Sequence, residues 1–79
     1  MPLVVEFTVE PFVEGTPGPH VEAALRAATD SGLQVEFGPF GTQLTGDDDD
    51  HVLEALDRVV RAALAAGASR VATQVSRPW

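Results

Sequence analysis

The chain predicts an α+β sandwich: one four-stranded antiparallel sheet with two helices on one face, in the order β-α-β-β-α-β. Three observations carry this prediction. Leu3 to Glu10 alternates apolar and polar side chains with a period of two, the mark of a half-buried strand. Two later segments repeat apolar residues at helical spacing. Between those segments, Gly38-Pro39-Phe40-Gly41 separates two short alternating runs, which is a hairpin signal.

In chain order, Leu3, Val5, Phe7 and Val9 share one face of the first strand, and Val4, Glu6, Thr8 and Glu10 share the other. Pro11 ends it, and the stretch to Pro19, with Gly15, Pro17 and Gly18, reads as a loop. Pro19 suits the first position of a helix because its missing N–H would have no partner there. Val21, Ala24, Leu25 and Ala28 then follow at helical spacing, and Ser31-Gly32 closes the helix. Leu33 to Phe37 forms the second strand and Thr42 to Thr45 the third, with Gly46 closing the hairpin. Asp47 to Asp50 reads as the acidic start of a second helix, where carboxylates cap free amides and complement the dipole. A calcium loop needs spaced ligands and a glycine at its sixth position, which this run lacks. The second helix continues through Leu53, Leu56, Val60, Ala63 and Leu64 to Gly67. A last strand carries Val71, Thr73 and Val75 on one face and Arg70, Ala72, Gln74 and Ser76 on the other.

This order predicts a ferredoxin-like sandwich spanning residues 1–79 as one domain. Right-handed crossovers put the third strand between the first and second. The helices then cover Leu3, Val5, Phe7, Val9, Val35, Phe37, Leu44, Val71 and Val75. The opposite face, with Val4, Glu6, Thr8, Glu10, Gln34, Glu36, Gln43, Thr45, Ala72 and Gln74, has no cover within the chain. Seventy-nine residues bury little surface, so a homodimer or homotetramer is expected.

Composition narrows the function. Twelve acidic residues face five Arg and no Lys, a formal net charge of −7, which argues against nucleic-acid binding. An acidic surface suits a cationic or polar small ligand, or simply solubility. Cysteine is absent, which removes disulfides and thiolate metal sites. The start lacks a basic region, and no apolar run is long enough for a membrane span. A cytoplasmic protein without a metal or other cofactor is expected.

The topology converges several chemistry-bearing residues at one end of the sheet. Phe12 and Phe40 leave the two co-directional strands there, Thr42 opens the third strand, His20 lies in the first turn of helix one, and Arg70 opens strand four. Two rings, a hydroxyl, an imidazole and a helix N-terminus make this the pocket candidate. Each also has a plainer role: the rings packing together or against another subunit, His20 solvated, Thr42 satisfying its turn. The Asp run, His51 and Trp79 fall at the other end.

Glu6-Phe7-Thr8-Val9 with Pro11, the hairpin Gly38-Pro39-Phe40-Gly41-Thr42 closing at Gly46, and Gly67 with Arg70-Val71 together resemble the thiamine-binding-protein-like family over nearly the whole chain. The hairpin Gly-Thr-x-x-x-Gly is the most specific element. The resemblance implies a ferredoxin-like fold assembled into dimers or tetramers, and a non-catalytic role binding thiamine or its hydroxymethylpyrimidine part. It assigns Thr42 as a pocket hydroxyl, and Glu6 and Thr8 match the first-strand motif less specifically. Thr45 stands where the family often has Glu. Two other functions use related architecture: an ACT-like amino-acid-sensing regulatory domain and a cofactor-free dimeric α/β-barrel enzyme. Against the first, such modules usually accompany a catalytic or DNA-binding domain, and a single domain is expected here; against the second, no acid–base pair is legible.

Overall fold

A computed structural model of the chain describes residues 1–11, 15, 18–38 and 41–78. Its elements follow the predicted order: β1 (Leu3–Glu10), α1 (Pro19–Asp30), β2 (Gln34–Phe37), β3 (Thr42–Gly46), α2 (Asp49–Ala65) and β4 (Arg70–Ser76). The strands lie in the order β2-β3-β1-β4, and each neighbouring pair is antiparallel. The two central strands are therefore β1 and β3, and the crossover places β3 between β1 and β2 as expected. This is the ferredoxin-like α+β fold.

The alternation of β1 decides which face is covered. Leu3, Val5, Phe7 and Val9 are buried, while Val4, Glu6, Thr8 and Glu10 are only partly so. Beneath the helices, Val5 sits in register with Leu44 on one side and Val75 on the other. Val5, Leu44, Val52 and Val59 are fully sealed from solvent. Small residues let the helices approach: Ala24 and Ala28 from α1 and Ala55 and Ala63 from α2 are all buried in the core. Both helices are followed by a glycine in the left-handed region, Gly32 at φ 76° and Gly67 at φ 107°, a conformation in which a Cβ would be strained.

Three expectations about side chains change. The buried stripe of α2 is Val52, Ala55, Val59 and Ala63, whereas Leu53 and Leu64 are exposed. Adjacent apolar pairs, Val52-Leu53 and Val59-Val60, give two stripes of equal helical period, and packing against β1, β3 and β4 selects the one with smaller side chains. Phe37 and Val75, expected under the helices, are also exposed. They lie on the two outer strands, at the margins of the layer that the helices cover.

The end of the molecule carrying the Asp run is closed by polar contacts. Asp48 caps α2 by accepting a hydrogen bond from the Asp50 amide at 3.0 Å. His51 donates from Nε2 to the Ser31 carbonyl at 2.8 Å, tying α2 to the end of α1. Arg77, just past β4, donates to Asp49 at 2.7 Å. That hydrogen bond, with the Arg77 charge behind it, holds the Asp49 carboxyl below its ordinary value. Trp79 lies outside the described residues.

Candidate functional site

A cavity of about 610 Å³ opens at the opposite end of the sheet, where β1 and β2 finish and β3 and β4 begin. Its volume falls within the range of small-molecule pockets, roughly 300–1,000 Å³. Phe7 and Val9 of β1, Phe37 of β2 and Val21, Ala24 and Leu25 of α1 give it mostly apolar walls. The first two turns of α1 lie against this end because Pro19 starts the helix and Gly18 accepts from the Val21 and Glu22 amides. Thr42 lines the same space and is only 9% exposed. The register explains its position: Thr42 stands between Phe7 and Phe37, opposite both, in one cross-strand row on the helix-covered face.

The polar complement is small. Among the described residues, Glu10 and Arg70 are the charged side chains lining the cavity. They face each other across the β1–β4 register, with Arg70 Nε 3.4 Å from Glu10 Oε2. The turn that carries Thr42 is pinned by the Gly38 amide donating to the Gly41 carbonyl at 2.8 Å. Gly41 runs close over β1: a Cβ there would stand 3.1 Å from the Phe7 carbonyl oxygen and 3.4 Å from side-chain carbons of both Glu6 and Thr8. A side chain there would have to force the two backbones apart by a few tenths of an ångström.

The sequence-derived site residues separate into four groups. Thr42 lines the cavity from the helix-covered face. Glu6 and Thr8 lie on the open face, where they border a shallower groove of about 370 Å³ with Thr73 and Gln74; Thr8 also borders the main cavity. Glu6 accepts a hydrogen bond from Gln43 at 3.3 Å across the β1–β3 pair. His20 is at the expected end of the sheet, but it is 7% exposed rather than solvated. Its Nε2 donates to the Pro11 carbonyl at 2.6 Å, which joins the end of β1 to the start of α1. It is not among the residues lining the cavity. Phe12 and Phe40 lie outside the described residues.

Phe37, expected under the helices, and Val21 and Leu25, expected only at helical spacing on α1, also line the site. The available signal was position: Phe37 ends an edge strand and Val21 and Leu25 begin a helix, all at the end of the sheet where the candidate residues converge. Among the described residues, no cluster of His, Asp and Glu is arranged to hold a metal ion, and no helix is long and apolar enough to cross a membrane.

Comparison with known proteins places this geometry. No curated protein matches the chain by sequence. Among solved structures, a domain of unknown function from Bacillus cereus is 28% identical with a TM-score of 0.71, over 98% of this chain and 77% of that one. A hypothetical protein from Methanocaldococcus jannascii is 26% identical with a TM-score of 0.68, over 95% and 76%. A candidate thiamine biosynthesis or salvage protein from Thermotoga maritima shares the fold at 20% identity and a TM-score of 0.58, over 96% and 81%. The pattern of the thiamine-binding protein family matches residues 5–76, from the second buried residue of β1 to the last residue of β4. The chain belongs to the thiamine-binding protein family.

Proposed function

We propose that the cavity between α1 and the sheet binds thiamine or its hydroxymethylpyrimidine part, and that the chain acts as a binding protein rather than an enzyme. One observation carries the reading: in a chain of this family, a nearly buried threonine hydroxyl lines an apolar cavity beside two phenylalanine rings. An aminopyrimidine is flat and carries both donors and acceptors. Phe7 and Phe37 offer it apolar surface, and a hydroxyl can both give and take a hydrogen bond. The histidines support binding over acid–base chemistry, because each donates to a backbone carbonyl and neither is among the residues lining the cavity.

The same proposal includes self-association as a homodimer or homotetramer. Val4 and Ala72 are half-buried on the open face, and Leu53, Leu64 and Val75 leave apolar surface in solvent. Calorimetric titration of the chain with thiamine and with hydroxymethylpyrimidine tests the binding claim. Saturable heat with either at one site per chain is expected. Absence of heat with both at millimolar concentration would remove thiamine as the ligand.

A further inference from the structure

We propose that Glu10 is the counter-ion for a positively charged ring bound in the cavity, and that Arg70 competes with that ring for it, so that the pair selects ligands by charge. The inference rests on the cavity reading above and narrows it to flat heterocycles bearing a fixed cation.

Four observations lead there. First, the cavity is apolar apart from Thr42, Thr8 and this pair, so a charged ligand meets few other compensating groups. Second, the pair is the loosest of the described ion pairs. Its closest approach is 3.4 Å, against 2.9 Å for Arg61–Asp57 and 2.7 Å for Arg77–Asp49. Third, both side chains are substantially exposed, 47% for Glu10 and 70% for Arg70. An exposed pair contributes little to stability and opens at small cost. Fourth, the other carboxylate nearest this end on the same strand face, Glu6, already accepts from Gln43 and lines the adjoining groove rather than the cavity.

A cation that enters with its apolar body against Phe7 and Phe37 can reach Glu10 at the exposed rim of the cavity. At a half-exposed carboxylate the attraction is that of a surface ion pair, modest but favourable to a cation over a neutral ring. Arg70 is repelled by the incoming charge and is free to swing into solvent, since its long side chain is already mostly exposed. The net charge of −7 adds a longer-range bias toward cations. An uncharged ring would use the same walls and the Thr42 hydroxyl but would gain nothing from Glu10. An anionic ligand would reverse the roles and draw Arg70 inward.

The test compares the cation thiamine with the uncharged hydroxymethylpyrimidine by calorimetry, using the full chain and two variants. Glu10→Gln is expected to weaken thiamine by about fivefold, the upper end for an exposed ion pair, and to leave hydroxymethylpyrimidine within about twofold. Arg70→Gln is expected to strengthen thiamine by about threefold, with the pyrimidine again unchanged. Unchanged melting temperatures confirm that these surface substitutions spare the fold. Equal effects on both ligands, or weakening by Arg70→Gln with strengthening by Glu10→Gln, would overturn charge selection while leaving the cavity reading intact. If the wild-type chain bound neither ligand, the cavity reading itself would fall and charge selection with it.

Discussion

Thr42 occupies the first position of β3, where the cross-strand row Phe7–Thr42–Phe37 meets the cavity. Thr42→Val keeps the branched shape and the strand preference while removing the hydroxyl. A lost hydrogen bond costs about 0.5–1.5 kcal/mol, so thiamine or hydroxymethylpyrimidine affinity should fall by up to roughly tenfold. The melting temperature should not fall. Phe37→Ala is the complementary case. The ring is 62% exposed, so its removal should cost about 1 kcal/mol or less in stability. The loss of an aromatic wall should weaken the ligand by a similar factor to Thr42→Val. Calorimetry for affinity, paired with thermal melting for stability, separates the two effects. Equal loss of folding and binding in either variant would show that the residue serves the core rather than the ligand.

At this scale the sequence told part of the story. Thr42 could be placed because a turn-flanking Gly-Thr fixes the start of a strand. The parity of β3 then puts it on the same face as Leu44. Phe37 could not, because period-two alternation says which face a residue points to but not whether a helix reaches that far. His20 was legible as a residue at the right end of the sheet. Its bond to the Pro11 carbonyl depends on the course of the backbone after β1, which no spacing rule supplies.

Among the elements, α2 shows both the strength and the limit of pattern reading. Its start is written in the acidic run, and Asp48 is its cap. Asp48→Ala should therefore cost about 0.5–2 kcal/mol by denaturant unfolding and leave ligand binding unchanged. Calcium or magnesium should not alter the melting temperature of the wild type. A metal-dependent rise of many degrees would mean that the run binds a cation. The buried stripe of α2 was ambiguous because two apolar stripes share one period, and only the packing of Ala55 and Ala63 against the rest of the core resolves it.

The Asp49–Arg77 contact adds a pH dependence at the same end of α2. The carboxyl is held below its ordinary value of 3.8 by its hydrogen bond to Arg77. A group with a lowered folded-state value stabilises the fold above its unfolded value and loses that contribution as pH falls through the folded one. The melting temperature of Arg77→Gln should thus lie slightly below wild type at neutral pH, and the gap should close below pH 3.8. A gap that persists unchanged in acid would show that Arg77 acts through packing instead. The exposure of both groups makes the effect small.

For the whole molecule, the α+β order and the central place of β3 were readable because alternation, helix caps and the hairpin all agreed with one topology. The division of the candidate residues between two faces was not. Thr42 points under the helices whereas Glu6 and Thr8 point to the open face, and gathering them at one end of the sheet did not by itself show this. A ligand in the cavity therefore meets Thr42, Phe7 and Phe37 from the helix-covered face and Thr8 from the rim, whereas Glu6 borders the groove on the open face. Light scattering at micromolar concentration should give a mass of two or four times 8.3 kDa. A stable species of single-chain mass would contradict the assembly.

The most direct test of the central claim is amide chemical-shift mapping by nuclear magnetic resonance during titration with thiamine. Binding in the cavity predicts saturable shifts at Thr42, Phe37, Val21 and Leu25, with Asp57 and Arg61 on α2 unchanged. Shifts confined to the open face around Glu6 and Gln74, or no shifts at millimolar thiamine, would contradict it.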